Sequence, residues 1–161
     1  LNLRGPQSTI TIGEGSGLMA AVMSTWMLSR RKDADCMVAA AVDVRSPSSS
    51  EGALADAACA LVLCTAPTGV EVSGIGLAGP EQLDDAIAEA QRRWGAERKP
   101  ELFIERPDPF GGMPATSSAF ALAHALSALR RGVARSALIA SRGSTASAAM
   151  VLTSTKETDD E

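Results

Sequence analysis

The stretch that most constrains this chain is Ser8-Thr9-Ile10-Thr11-Ile12-Gly13-Glu14-Gly15-Ser16-Gly17-Leu18. A β-branched, alternating segment runs into three glycines spaced by single residues, and a helical pattern follows from Leu18. This reads as a strand, a tight elbow and a helix. Such an elbow holds the side chain at its tip clear of the backbone, near the positive end of the helix. Here the tip carries Glu14, so the functional question is what a carboxylate does there.

At 161 residues with 45% hydrophobic and 21% charged residues, one domain with its own core is expected. Aromatics are only 3% and Tyr is absent, so that core is built from close packing of small residues. Small side chains bury less area each, and a chain of this kind gains stability by burying a further face against a partner. A net charge of -4 argues against a nucleic-acid surface. The basic clusters Arg30-Arg31-Lys32, Arg92-Arg93 and Arg130-Arg131 each end a helical pattern, where they complement the helix dipole. Cys36, Cys59 and Cys64 lie in apolar runs without metal-type spacing and are expected to be buried free thiols in a reducing compartment. No signal peptide and no apolar run of membrane-spanning length is seen, so a soluble, cytoplasmic protein is expected. Leu1 is not a natural initiator, and an upstream part is expected to precede it.

Taken in order, residues 8–13 are expected to form a strand and Leu18 to Arg31 a helix with a broad apolar face. Cys36 to Val44 reads as a strand buried on both faces, and Ala53 to Thr65 as a buried strand around Ala60-Leu61-Val62-Leu63. Between them, residues 45–52 form a polar loop. Val70 to Ile75 alternates like a strand with one exposed face. Gly79-Pro80-Glu81 opens a helix through Leu83, Ile87, Ala90 and Trp94. Residues 101–105 form a short strand, and the prolines and glycines of 106–115 exclude regular structure. Thr116-Ser117-Ser118 are expected to cap a helix reaching Arg131. Residues 134–141 and 146–153 form two strands of a hairpin, and the tail 156–161 is charged and expected to be disordered. Strands and helices alternate, so the class is α/β, with a first portion of about 1–66 and a second of about 67–155.

Together these segments resemble a β-ketoacyl synthase of the thiolase-like fold. Ile12-Gly13-Glu14-Gly15-Ser16-Gly17-Leu18 stands where that family carries a T-A-C-S-S-G-L elbow with its cysteine nucleophile. The segment Asp35 to Asp43 is similar to the family's D-x-A-L-A-G-G-V-D strand, and Ala55 to Leu63 to its G-E-G-A-A-V-L-V-L segment. Ser141 to Val151 resembles the S-F-G-F-G-G-T-N-A-A-L hairpin. The resemblance implies a layered α-β-α architecture, reduced relative to a full ketosynthase of more than twice this length. The early part of the first half and a helical section between Ile104 and Thr116 are without counterpart.

Carried over residue by residue, the resemblance implies that the catalytic positions are vacated. Glu14 replaces the cysteine, and a carboxylate does not accept an acyl group from a thioester as a thiolate does. The first histidine position falls near Arg106, in Ile104 to Asp108, and the second near Gly112, in Gly111 to Ala115. The chain's one histidine, His124, lies inside the following helix and is not expected to do chemistry. The implied function is that of a noncatalytic, chain-length-factor-like subunit. It pairs with an active β-ketoacyl synthase, meets acyl carrier protein through that complex and shapes the cavity for the growing chain in polyketide or fatty-acid-type synthesis. Glu14 and the Met19, Met23 and Met27 helix face are then cavity or interface candidates, with core packing the plainer role of the methionines. The alternatives are a decarboxylase-like domain using Glu14 in place of the cysteine, and a non-enzymatic scaffold that kept the fold. No cofactor, metal, nucleic-acid or membrane role is expected: Gly13-x-Gly15-x-Gly17 lacks the spacing and downstream acid of a dinucleotide site.

Overall fold

Alanine, leucine and methionine recur around more than one side of residues 16–30 and 114–130, so neither segment can satisfy itself on a single sheet. A computed structural model describes residues 8–10, 15–43, 56–105 and 114–155 of the chain and shows how that demand is met. The elements in order are α1 (Ser16–Arg30), β1 (Cys36–Asp43), β2 (Ala57–Cys64), β3 (Val70–Ala78), α2 (Leu83–Trp94), β4 (Leu102–Glu105), α3 (Pro114–Arg130), β5 (Ser136–Arg142) and β6 (Ser147–Ser154). The class is α/β, as the alternation of elements predicts.

Two sheets result. One is the antiparallel pair β1-β2; the other has the order β3-β6-β5-β4, with β4 parallel to β5 and the remaining pairs antiparallel. The parallel pair β4 and β5 is joined through α3, the crossover that a parallel connection requires. Helices α1 and α3 lie side by side between the two sheets. Leu18, Val22, Leu122, Ala125 and Leu129 from these helices share one core with Ala39 of β1 and with Ile139, Met150 and Leu152 of the larger sheet. On the other face of that sheet, Leu83, Ala86 and Ala90 of α2 pack on Leu138, Ala140, Ala149 and Val151. The layers are therefore helix, sheet, helix pair, sheet.

Strands β5 and β6 carry helices on both faces, and their apolar runs are buried throughout Ser136–Ala140 and Ser147–Leu152. The expected burial of β1 on both faces, and of β2 as a buried strand, is corrected. Only their inner face is covered, and along both strands exposed residues alternate with more buried ones. Val38, Val42 and Val62 on the outer face are 47%, 59% and 66% exposed. The thiols are corrected with it: Cys36 and Cys64 sit on the exposed face, and only Cys59 is partly buried, where burial pushes its thiol pKa up. The physical reason is that among the described residues no element packs on the outer face, which an apolar run cannot reveal.

Other boundaries shift slightly. Residues 8–10 hold no regular structure, and residues 11–14, 44–55, 106–113 and 156–161 lie outside the described residues, so the expected strand tip, polar loop and tail are not placed. Helix α3 begins at Pro114, so Thr116, Ser117 and Ser118 occupy its first turns instead of preceding it. Proline suits that position because the first helical N–H groups have no intrahelical partner.

Helix α2 approaches β3 closely enough to exclude any side chain there. A Cβ on Gly76 would stand 1.8 Å from the Ala86 carbonyl oxygen, and one on Gly74 would stand 2.2 Å from that of Ala90. Both obstacles are helix backbone, which yields only if α2 lifts away from the sheet. Gly76→Ala is therefore expected to cost about 2–4 kcal/mol, which urea denaturation reads directly. A variant as stable as the parent would contradict this packing.

Candidate functional site

The polar convergence in the core lies where the N-terminal ends of α1 and α3 meet the C-terminal end of β1. An α-helix leaves its first N–H groups without intrahelical acceptors, so two adjacent N-termini need oxygen from elsewhere. Residue Gly15, at the N-cap of α1, supplies no side-chain cap. Instead the Leu18 N–H donates to Ser118 Oγ at 3.0 Å, a buried hydrogen bond from one helix to the other across 100 residues of chain. Helix α3 is capped by Asp43 at the end of β1. Its Oδ2 accepts from the Thr116 N–H and from Thr116 Oγ1, each at 2.7 Å. A carboxylate at a helix N-terminus is favoured by the dipole, and hydrogen bonds to a charged acceptor are the strong ones.

Strand β1, α3 and α1 are thus tied in sequence through Asp43, Thr116, Ser118 and Leu18. Thr116 and Ser118 are almost fully buried, at 0% and 1% exposed, and among the described residues no buried side-chain N or O atom lacks a hydrogen-bond partner. These groups hold position; none is a thiol, an imidazole or an amine. In the sequence Asp43 stands only as the last residue of a strand motif, and Thr116 to Ser118 read as local caps. The available signal was an acid closing an otherwise apolar run, which demands a polar partner.

The sequence-derived candidates distribute unevenly. Glu14, Arg106 and Gly112 lie outside the described residues. Met19 is 8% exposed within the main core and Met23 packs partly buried against it, while Met27 is half-buried near the far end of α1. His124 is exposed, eight residues beyond Thr116 and so about 12 Å further along α3. Among the described residues no group of His, Cys, Asp and Glu is arranged to hold a metal, and no helix is long and apolar enough to cross a membrane.

An open groove of about 700 Å³ lies elsewhere, at the end of the larger sheet where β4 and β5 begin. Because α3 starts after β4 ends, this groove is at the opposite end of the sheet from the helix N-termini. Its walls are structural pairs: Arg135 N–H donates to Glu101 Oε2 at 2.9 Å, and Ser73 and Thr153 hydroxyls bond to Glu71 and to each other. Its lining residues include Lys99 and several hydroxyls but no cysteine and no histidine.

The central tie is testable by truncation. Asp43→Ala removes the acceptor for two donors at once and is expected to destabilise the fold by about 1–3 kcal/mol. Asp43→Asn keeps one carbonyl oxygen and is expected to cost less. Equal stability of all three proteins in urea would show that the cap contributes nothing.

No family profile and no curated protein sequence matches this chain. A solved structure does: "The ishigamide ketosynthase/chain length factor" is similar with a TM-score of 0.73 at 16% identity, the match covering 95% of this chain. The chain spans 58% of the length of that structure's chain. The likeness shows the fold, and this protein has the mixed α/β architecture of part of a thiolase-like ketosynthase and chain length factor structure.

Proposed function

We propose that this chain is a noncatalytic, chain-length-factor-like subunit that pairs with a cysteine-bearing β-ketoacyl synthase and helps shape the cavity for a growing acyl or polyketide chain. The observation that carries the reading is the uncovered outer face of β1-β2. Cys36, Val38, Ala40 and Val42 stand beside Cys64, Val62, Ala60 and Ala58, an exposed face without a single charge. A contiguous apolar face of this kind marks a surface that another polypeptide covers. The core site agrees with it in kind: its polar groups are consumed in holding α1, α3 and β1 together. Glu14 in place of a cysteine, and the lack of histidines near Arg106 and Gly112, remove the nucleophile and the donors that acyl condensation needs.

In this reading the catalytic cysteine, and the docking of acyl carrier protein, belong to the complex. The carboxylate of Glu14, next in sequence to the N-cap residue Gly15 of α1, serves a structural or interface role. Expressed alone, the chain is expected to self-associate or be poorly soluble, and co-expression with an active ketosynthase is expected to yield a monodisperse complex. Val62→Asp should leave the fold intact while weakening that complex at least ~10-fold, since it charges the centre of an apolar face. Glu14→Gln should leave the activity of the complex nearly unchanged. A monodisperse monomer that decarboxylates malonyl-carrier protein unaided would overturn the proposal in favour of a decarboxylase.

A further inference from the structure

We propose that Cys36 and Cys64 form a redox-responsive cross-strand pair, oxidised by a hydroperoxide to an intramolecular disulfide that staples β1 to β2. The inference stands on the register of the two strands and applies to the chain while its outer β1-β2 face, which carries both cysteines, is uncovered. In the ladder Cys36 lies directly opposite Cys64. The next residues outward, Asp35 and Thr65, are joined by a Thr65 N–H to Asp35 carbonyl hydrogen bond of 2.9 Å. Hydrogen-bonded and non-hydrogen-bonded pairs alternate along an antiparallel ladder, so Cys36 and Cys64 occupy a non-hydrogen-bonded pair, in which side chains approach most closely. Cβ atoms in such pairs are about 4.5 Å apart, at the edge of the roughly 3.5–4.5 Å that a disulfide spans. Both thiols are free and both are exposed, so an oxidant reaches them.

The third cysteine is excluded by geometry. Cys59 pairs with Ala41, on the covered side of the same strands. Successive strand residues alternate faces, and Cys59 is an odd number of positions from Cys64, so its side chain points away from the pair.

The chemistry balances with a hydroperoxide as oxidant. One thiolate attacks the terminal peroxide oxygen, breaking the O–O bond and giving a sulfenic acid and an alkoxide (hydroxide from hydrogen peroxide), which takes up the proton the thiol released and leaves as alcohol or water. The second thiolate attacks the sulfenic sulfur, forms the S–S bond and expels hydroxide, which takes up a proton as water. Two thiols lose two electrons and the peroxide gains them. The bond fixes the end of β1 remote from Asp43, whose hydrogen bonds to Thr116 already anchor the other end. An isolated two-stranded sheet is marginal, and this one becomes fastened at both ends.

The test uses the full chain and a small excess of hydrogen peroxide, followed by non-reducing peptide mapping, thiol titration and thermal melting. The expected result is one intramolecular Cys36–Cys64 bond, with titratable thiols falling from the three cysteines of the chain to Cys59 alone. The midpoint of unfolding should rise by roughly 5–10 °C and return to its starting value on reduction. Cys59→Ser should keep the response, and Cys36→Ser or Cys64→Ser, both at exposed positions, should abolish it. Intermolecular disulfides as the main product, sulfinic acids at these positions without a bond, or three thiols still titratable would each overturn the proposal.

Discussion

The architecture depends on placing two helices that are apolar on more than one side between two sheets. Helices α1 and α3 share their core with strands from both sheets, and their N-termini sit together at one end. Two positive dipole ends brought side by side would repel and leave backbone donors unmet. The Asp43 carboxylate against Thr116 and the Ser118 hydroxyl against Leu18 resolve both problems. Apolar burial supplies the driving force for the layering, and these few hydrogen bonds decide the alignment of the layers.

Small residues make that layering possible. Alanine is prominent on the buried faces of α2 and α3, and glycine at 74 and 76 lets the backbone of α2 rest on the backbone of β3. The same economy leaves little margin. Fully buried large side chains are few, with Leu18, Leu129, Leu138, Ile139 and Met150 the principal ones, each worth about 1.5–3 kcal/mol. A molecule assembled in this way draws a proportionately larger benefit from covering a further face, and the outer side of β1-β2 is such a face.

Much of the fold was legible because periodicity and punctuation report on local geometry. Leu18, Val22 and Met19 marked α1, Leu83, Ile87 and Ala90 marked α2, and the segment around Arg142 to Thr145 marked the β5-β6 hairpin. Burial was legible only where it followed from local pattern. Ala39-Ala40-Ala41 and Leu138-Ile139-Ala140 look alike as sequence, yet the second run has helices on both faces and the first on one. What covers a strand comes from elsewhere in the chain or from outside it, and no window of residues encodes that. Register was equally hidden: nothing in the spacing of Cys36 and Cys64 says that they face each other. The site was legible in part. The elbow at Glu14 drew attention by its glycines, whereas Asp43 and Ser118 acquire their role only when β1, α3 and α1 are brought together.

The proposed noncatalytic role requires that Glu14, standing where the resembled family carries its cysteine, does not receive an acyl group. The most direct measurement is peptide-mapped mass spectrometry after incubation with a short acyl thioester, with hydroxylamine added to trap any activated carboxyl. The account predicts no adduct and no hydroxamate in the peptide containing Gly13-Glu14-Gly15-Ser16-Gly17. A hydroxamate at Glu14, formed only when the thioester is present, would contradict it.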